Sequence, residues 1–249
     1  MAKSFIYPVA TATITDGTYG TTANGGTTYT FASGNTVANE HRISDDSIGS
    51  AVSSYGSNSN DTIQFDLGGS YACDVIAIYL SAASAANLAL YYSSSANNMG
   101  TDSSDPSVPL TTSPNMLTNH DAGWNIRTFT EITDRYWYVR AIGGDITPSE
   151  IIIGKKYDFD INFDLNNKTD EEFATDIATS YSGNEYANKR YAPKTTWSWN
   201  WPNISSSMKT SLENVRDSVQ DHKKFLYYDE TSYHYVRMGK PLEFTEVAH

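Results

Sequence analysis

Cysteine is nearly missing from this chain. Its 249 residues include a single thiol, Cys73, so neither an internal disulfide nor a cysteine-based zinc site can staple the fold. Positive charge is scarce as well: 17 Lys and Arg stand against 29 Asp and Glu, a net charge of −12. Phosphate backbones and anionic lipid repel such a chain, which argues against nucleic acid and membrane insertion. No apolar run approaches the ~20 residues of a membrane-spanning helix. The opening stretch MAKSFIYPVATATITDG lacks the apolar core of a secretion signal, so a soluble protein made in a cytoplasm is expected. Catalytic signatures are missing too. No G-x-S-x-G, Walker A or G-x-G-x-x-G loop stands at a strand-to-helix turn, and there is no H-E-x-x-H. His41, His120, His222, His234 and His249 have no partner at metal-ligand spacing and read as surface or hairpin residues; no metal site is expected.

What the chain does have is sheet-forming residues, 18 tyrosines among them, which suit half-buried strands. The first 61 residues are rich in Ser, Thr, Asn and Gly, with Ile14, Tyr19, Tyr29 and Phe31 recurring between turn residues; short strands joined by turns are expected. TIQFDLG alternates Ile63, Phe65 and Leu67 with polar residues, and DVIAIYL (74–80) is continuously apolar, as in a strand covered on both faces. NLALYY, WNIRTFTEI and RYWYVRAI complete the set, with a proline-bearing loop over 93–123. Many strands without crossover helices predict an antiparallel, mainly β fold.

Composition changes near residue 155. Residues 1–150 hold 5 basic and 14 acidic side chains (5 − 14 = −9), and residues 151–249 hold 12 and 15 (12 − 15 = −3). This predicts a boundary between a β-sandwich over 1–154 and a smaller β-domain over 155–249. KKYDFDINFDL reads as a period-two strand, with Tyr157, Phe159, Ile161, Phe163 and Leu165 opposite Asp158, Asp160 and Asp164. A short helix is expected near 170–178. Ile204, Met208, Leu212, Val215 and Val219 share one face of an amphipathic helix over about 204–220, with Ser205 as N-cap. KFLYYDETSYHYVRM reads as a hairpin turning near Asp229–Ser232, and LEFTEV as a last strand.

Two resemblances sharpen this reading. TIQFDLGGSYACDVIAIYL and RYWYVRAIGGDITPSEIIIG resemble the paired and closing strands of discoidin-type (galactose-binding-like) jelly rolls, over roughly 35–154. The cysteine pair that often clamps extracellular discoidin domains is absent, and the 93–123 loop is long. EIIIGKKYDFDINFD, SGNEYANKRYAPKTTWSWNWPNIS and HKKFLYYDETSYHYVRMGKPLEFTEV resemble the C-terminal region of tailed-bacteriophage tail proteins. That resemblance implies a non-enzymatic structural protein of the virion, a tail or tail-adaptor subunit whose partners are other copies of itself in a ring and neighbouring virion proteins. The Tyr-dense hairpin, with Tyr227, Tyr228, Tyr233 and Tyr235, suits a subunit interface. Trp197, Trp199 and Trp201 in WSWNWP suit a packed face beneath the helix or a subunit contact.

The alternative is a carbohydrate-binding, receptor-recognition module touching a host-surface glycan through Tyr55 and Trp124, the aromatic candidates for stacking on a sugar. No cofactor is expected, although the jelly-roll resemblance leaves open a calcium site at Asp45 or Asp46. A glycosidase ranks low, because no carboxylate pair stands out. The aspartates of 158–164 read as a solvated face that keeps a strand edge from aggregating.

Overall fold

A computed structural model describes residues 3–10, 20–22, 28–31, 42–43, 45–51, 62–94, 120–142, 144, 146–163, 168–172, 175–189, 193–220, 222–240, 242 and 244. Its elements in chain order are β1 (Ser4–Pro8), β2 (Gly20–Thr22), β3 (Thr28–Phe31), β4 (Thr62–Leu80), β5 (Asn87–Ser93), β6 (Gly123–Ile142) and β7 (Pro148–Asp158). There follow β8 (Lys168–Glu172), β9 (Thr175–Thr179), β10 (Glu185–Lys189), β11 (Lys194–Ser198), α1 (Ser206–Val219), β12 (Lys224–Tyr228) and β13 (Tyr233–Arg237). The fold is mainly β and antiparallel, and the chain divides into two compact units, Met1–Asp158 with Thr210–His249, and Phe159–Lys209.

The first unit is organised on β4 and β6, which pair from Thr62↔Arg140 to Leu80↔Gly123. Four strands expected separately are therefore two long ones. Gly68–Gly69 does not end the strand; the register shifts between Asp66 and Tyr71, and the strand bends. Gly68 takes φ +75°, a conformation that side chains other than glycine's rarely allow. Asp66 holds the bend from both sides, accepting from the Gly68 N–H at 2.8 Å and from Arg135 of β6 through Nε (2.7 Å) and Nη2 (2.8 Å). Beyond the bend each half of β4 finds a different neighbour. Ile63–Asp66 pair with β3, and Val75–Leu80 pair with β7.

This bent spine feeds two layers, β13-β12-β1-β7-β4-β6 and β2-β3-β4-β6-β5. The core shared between them holds Phe65, Leu67, Ile76, Ile78, Leu88, Leu90, Trp137, Val139, Ile151 and Ile153. Trp137 is fully buried between Phe129 and Tyr92, ring centroids 5.6 and 5.7 Å away, and donates through Nε1 to the Asp134 carbonyl at 3.3 Å. This is the expected antiparallel jelly-roll sandwich.

The first layer is not flat. Its six strands, at ~4.8 Å spacing, would put β13 about 24 Å from β6 if spread out. The Tyr235 ring of β13 instead lies 5.2 Å from Trp124 of β6. The layer has rolled until its edge strand meets β6, enclosing a second apolar cluster of Ile6, Val75, Ala77, Ile152 and Leu226. Burial of these alternate residues is the driving force for the roll.

The C-terminal segment completes this layer. Phe5↔Tyr227 and Ile6↔Leu226 join β12 to β1, and β13 pairs with β12 in the expected hairpin. The compositional change near residue 155 falls inside β7, whose Lys155, Lys156 and Tyr157 pair with β1. Lys156 Nζ also bonds Asp158 Oδ1 at 2.6 Å. By folding contacts, helix end and hairpin therefore belong with the first sheet instead of closing a separate C-terminal domain. Helix α1 forms as its spacing predicts, with Met208, Leu212, Val215 and Val219 buried and Ser205 Oγ capping the Met208 N–H at 3.1 Å. Ser218 Oγ donates to the Pro8 carbonyl.

The second unit departs from expectation. Residues near 170–178 form β8 and β9, not a helix, because they ladder against β11 and β10: Glu172↔Lys194 to Lys168↔Ser198, then Thr175↔Lys189 to Thr179↔Glu185. The strand read into KKYDFDINFDL ends at Asp158. Ile161 is exposed, while Phe159 packs edge-on to Trp201 at 5.6 Å and Phe163 stacks on Trp199 at 6.0 Å. Ring packing has replaced the period-two face. Leu165 and most of LEFTEV lie outside the described residues.

The tight approach of β7 to β1 at Gly154 gives a prediction. A Cβ at Gly154 would run into the Tyr7 carbonyl of β1. Gly154→Ala is expected to cost about 3 kcal/mol as overpacking, read as a lowered urea midpoint, whereas Gly239→Ala, with open space at its Cβ, leaves the midpoint unchanged.

Candidate functional site

In PSEIIIG, the start of β7, period two sends Ile151 and Ile153 to the sandwich core and Glu150 and Ile152 to the rolled face. Register then sets a row across three strands, Glu150↔Tyr79 and Tyr79↔Trp124. Tyr79 meets Trp124 edge-on at 5.3 Å, and Tyr235 closes over Trp124 from the other side. At this end of the roll a carboxyl group is placed where water does not reach: Glu150 is 3% exposed and its Oε2 has no hydrogen-bond partner.

Burial, and next the Asp46 carboxylate, push the Glu150 carboxyl well above its ordinary range, against the opposing pull of the Tyr235 hydrogen bond and Lys224. Its surroundings therefore favour the protonated, uncharged form over the carboxylate. The Tyr235 hydroxyl bonds Glu150 and donates to Asp46 Oδ1 at 3.1 Å; its own pKa is driven far up, by burial first and Glu150 second. Lys224 binds the same residue twice, from its N–H to Asp46 Oδ1 at 3.2 Å and from Nζ to the Asp46 carbonyl at 2.6 Å. Asp46 itself sits at a left-handed φ of 58°. One proton, one ammonium and two carboxyls thus tie β7, β12, β13 and the loop at 45–51 together.

Asp45, the other calcium candidate, spends both carboxylate oxygens on its own loop. Oδ1 accepts from the Ser47 N–H at 2.9 Å, and Oδ2 from Ser50 Oγ at 3.1 Å. Among the described residues no group of three or more His, Cys, Asp and Glu is placed to hold a metal ion.

The remaining expected site residues fall as follows. Trp124 is half-buried between Tyr79 and Tyr235, and Tyr55 lies outside the described residues. Tyr227 is buried against Phe5, ring centroids 6.0 Å apart, and faces His234. Tyr228 and Tyr233 pair across the hairpin at 4.6 Å, half-buried. Most of the Tyr-rich hairpin is therefore engaged in the chain's own packing. Trp197 is half-buried on β11, and Trp199 follows the strand, among Phe163 and Trp201.

Among the histidines, His120 departs from the surface expectation. It is buried, bridged to Ser84 by backbone bonds of 2.8 and 3.0 Å, and burial lowers its pKa so that it is neutral. His234 bonds Asp229 at 2.7 Å in the hairpin and His222 is exposed, while His41 and His249 lie outside the described residues. Burial, then Asp74, push the Cys73 thiol up to about 12, which leaves it unreactive. Sequence reasoning missed Glu150 as a site. The available signal was one acid inside an otherwise apolar strand.

No family model matches the chain, and no curated protein matches it. Three solved structures illustrate its likenesses. A chitosan-binding module of a chitosanase/glucanase from Paenibacillus sp. IK-5 is 21% identical at a TM-score of 0.39, over 52% of this chain and 95% of that one. A pectin-binding carbohydrate-binding module is 15% identical at 0.36, over 58% and 93%. A module from a family 31 glycoside hydrolase of Clostridium perfringens is 12% identical at 0.38, over 51% and 94%. At such scores and identities the likeness assigns neither ligand nor activity.

The buried carboxyl carries a pH prediction. A carboxyl whose folded pKa is raised contributes stability that is complete below its unfolded pKa and declines as pH rises toward the folded pKa. Glu150→Gln keeps the shape of the neutral form and removes the titration. The stability gap between Glu150→Gln and the wild type should move in favour of the variant from pH 5 to pH 8, read as urea midpoints; a gap independent of pH would contradict a raised Glu150 pKa.

Proposed function

We propose that the protein is a non-enzymatic recognition module whose sandwich binds a carbohydrate. The observation that carries this reading is the half-buried Trp124 at the start of β6, beside Asn125, whose Nδ2 bonds the Asp121 and Gly123 carbonyls at 2.9 and 3.0 Å. An aromatic edge next to fixed amide and carbonyl groups at a strand end is the chemistry that takes a sugar ring and its hydroxyls. Tyr55 belongs to the same reading. No catalytic role is assigned: the buried Glu150 is held away from any substrate.

A second reading is favoured by a different observation. The paired strands β8–β11 form ribbons with every described side chain exposed except Trp197, and a two-stranded ribbon with no core of its own is marginal in water. Such a segment suits a structural subunit that is completed by assembly, the tail or tail-adaptor component of a phage virion implied by the sequence resemblance, located in the particle beside its neighbours. The sandwich then displays the sugar site and the ribbon makes the assembly contacts. On this reading the protein takes no cofactor, the Lys224 ammonium bonding the Asp46 carbonyl oxygen that a calcium ion would otherwise use.

Two measurements test this. A glycan array carrying chitosan and pectin oligosaccharides should show binding by the wild type that falls about tenfold or more in Trp124→Ala, the loss of an aromatic edge contact being worth about 1–2 kcal/mol; Tyr55→Ala should weaken it as well. A wild type that binds no glycan ends the first reading, and absence of the protein from purified particles by mass spectrometry ends the second. Millimolar calcium is expected to leave Tm unchanged; a rise abolished in Glu150→Gln would reinstate the metal.

A further inference from the structure

Rolling the first layer lines up three oxygen-bearing side chains from three segments. Glu150 of β7 is 3% exposed, and its contact on this side is the Tyr235 hydroxyl of β13. That hydroxyl donates to Asp46 Oδ1 in the 45–51 loop at 3.1 Å. A phenol has one proton to give. Because Asp46 takes it, the bond to Glu150 uses the carboxyl's own proton, donated to the tyrosine oxygen. The chain then runs one way, from the Glu150 O–H to the Tyr235 O–H to the Asp46 carboxylate. Without the Glu150 proton two carboxylates, both acceptors only, compete for one hydroxyl.

The neighbouring groups do not relieve that conflict. On β12 the Lys224 ammonium is committed to the Asp46 carbonyl at 2.6 Å and lies over the Tyr235 ring, 5.1 Å from its centroid. Lys223, next to it, donates to the Ala10 carbonyl at 2.9 Å. Register sets Tyr79 of β4 beside Glu150 and Trp124 of β6 beyond it, and neither is a cation. The loop brings a second acid, Asp45, whose oxygens are bonded within the loop. Burial first, then Asp46, favour the protonated carboxyl at Glu150.

The middle of this chain also holds the aromatic ring of the sugar reading. Tyr235 lies 5.2 Å from Trp124. Among the described residues β13 pairs only with β12, so it is the edge of its layer. An edge strand opens at less cost than a central one.

We propose that Glu150, Tyr235 and Asp46 form a proton-operated latch on the β13 edge: while Glu150 carries its proton Tyr235 is held against Trp124, and loss of the proton frees the edge. The consequence for binding rests on the carbohydrate reading above. Tyr235 is a positioning residue in that site, and once freed it no longer fixes the Trp124 ring, so affinity falls as pH rises. An acid that keeps its proton when enclosed and is solvated when released favours opening above its solvated pKa, by up to about tenfold per pH unit, until the enclosed pKa is passed.

Hydrogen exchange of the full-length protein, read by mass spectrometry between pH 5 and pH 9, separates a latch from general loosening. Exchange of the β13 amides, taken as the ratio of wild type to Glu150→Gln at each pH so that intrinsic rates cancel, should rise by about tenfold or more. The ratio in the Trp137 stretch of β6 should stay level. Asp46→Asn leaves one carboxyl facing the hydroxyl, and asparagine suits the left-handed backbone at that position; its rise should be smaller than that of the wild type. A flat wild-type ratio overturns the latch. So does an equal rise at Trp137, or a rise in Asp46→Asn as large as the wild type's. Exchange needs no sugar, so a protein that binds no glycan ends the carbohydrate reading while the latch stands or falls on these ratios. For a chitosan or pectin oligosaccharide that does bind, Kd should increase over the same pH range in the wild type and not in Glu150→Gln; parallel pH profiles would overturn the positioning role of Tyr235.

Discussion

The bend in the β4–β6 spine is the constraint on which the first unit depends. A strand pair as long as this one, left straight, would offer one flat sheet with two faces and no second layer to cover them. The Asp66–Arg135 pair and the Gly68 turn convert it into two half-length pairs set at an angle. The bridge is partly exposed, so its contribution is geometric more than energetic: a bidentate guanidinium–carboxylate contact has a defined plane, and burial of Trp137 and its neighbours supplies the free energy. Burial pushes the Asp66 carboxyl up, but Arg135 and the Gly68 N–H outweigh it and keep the residue ionised.

From that bend two apolar clusters follow. One is the core of the sandwich. The other arises because a six-stranded layer whose free face is also apolar lowers its energy by rolling, until Tyr235 reaches Trp124. Rolling closes off polar groups as well as apolar ones. Glu150 is enclosed with the rest of its row, where burial raises its pKa and Tyr235, Asp46 and Lys224 gather around it. A buried polar network that ties four segments in one place specifies how they meet more than it stabilises them. The second unit follows the opposite logic. Its ribbon strands bury almost nothing, and their described side chains apart from Trp197 are exposed.

Much of this was legible in the residues, and the reason differs from element to element. The helix could be read because Met208, Leu212, Val215 and Val219 repeat at helical spacing, and Ser205 caps it as its side chain suggests. The hairpin at 224–237 could be read because Asp229 sits at a turn, where Thr231 and Ser232 donate to it. The 170–178 segment could not, since its residues suit a helix locally and only the cross-strand partners of β10 and β11 decide the matter. DFDINFD alternates faultlessly and still does not form a strand beyond Asp158, because Trp199 and Trp201 lie far away in sequence.

The sequence by itself determined the chemical class of the molecule: an acidic, sheet-built chain, with no thiol pair to brace it and no catalytic loop. These follow from composition and short-range periodicity, which act on each residue and its immediate neighbours. Tertiary structure alone decided that four strands are two, that the last hairpin joins the first sheet, and that Glu150 is buried beside Tyr235 and Asp46. Each of these is a pairing between residues far apart in the chain, and pairing energy exists only once the partner is in place.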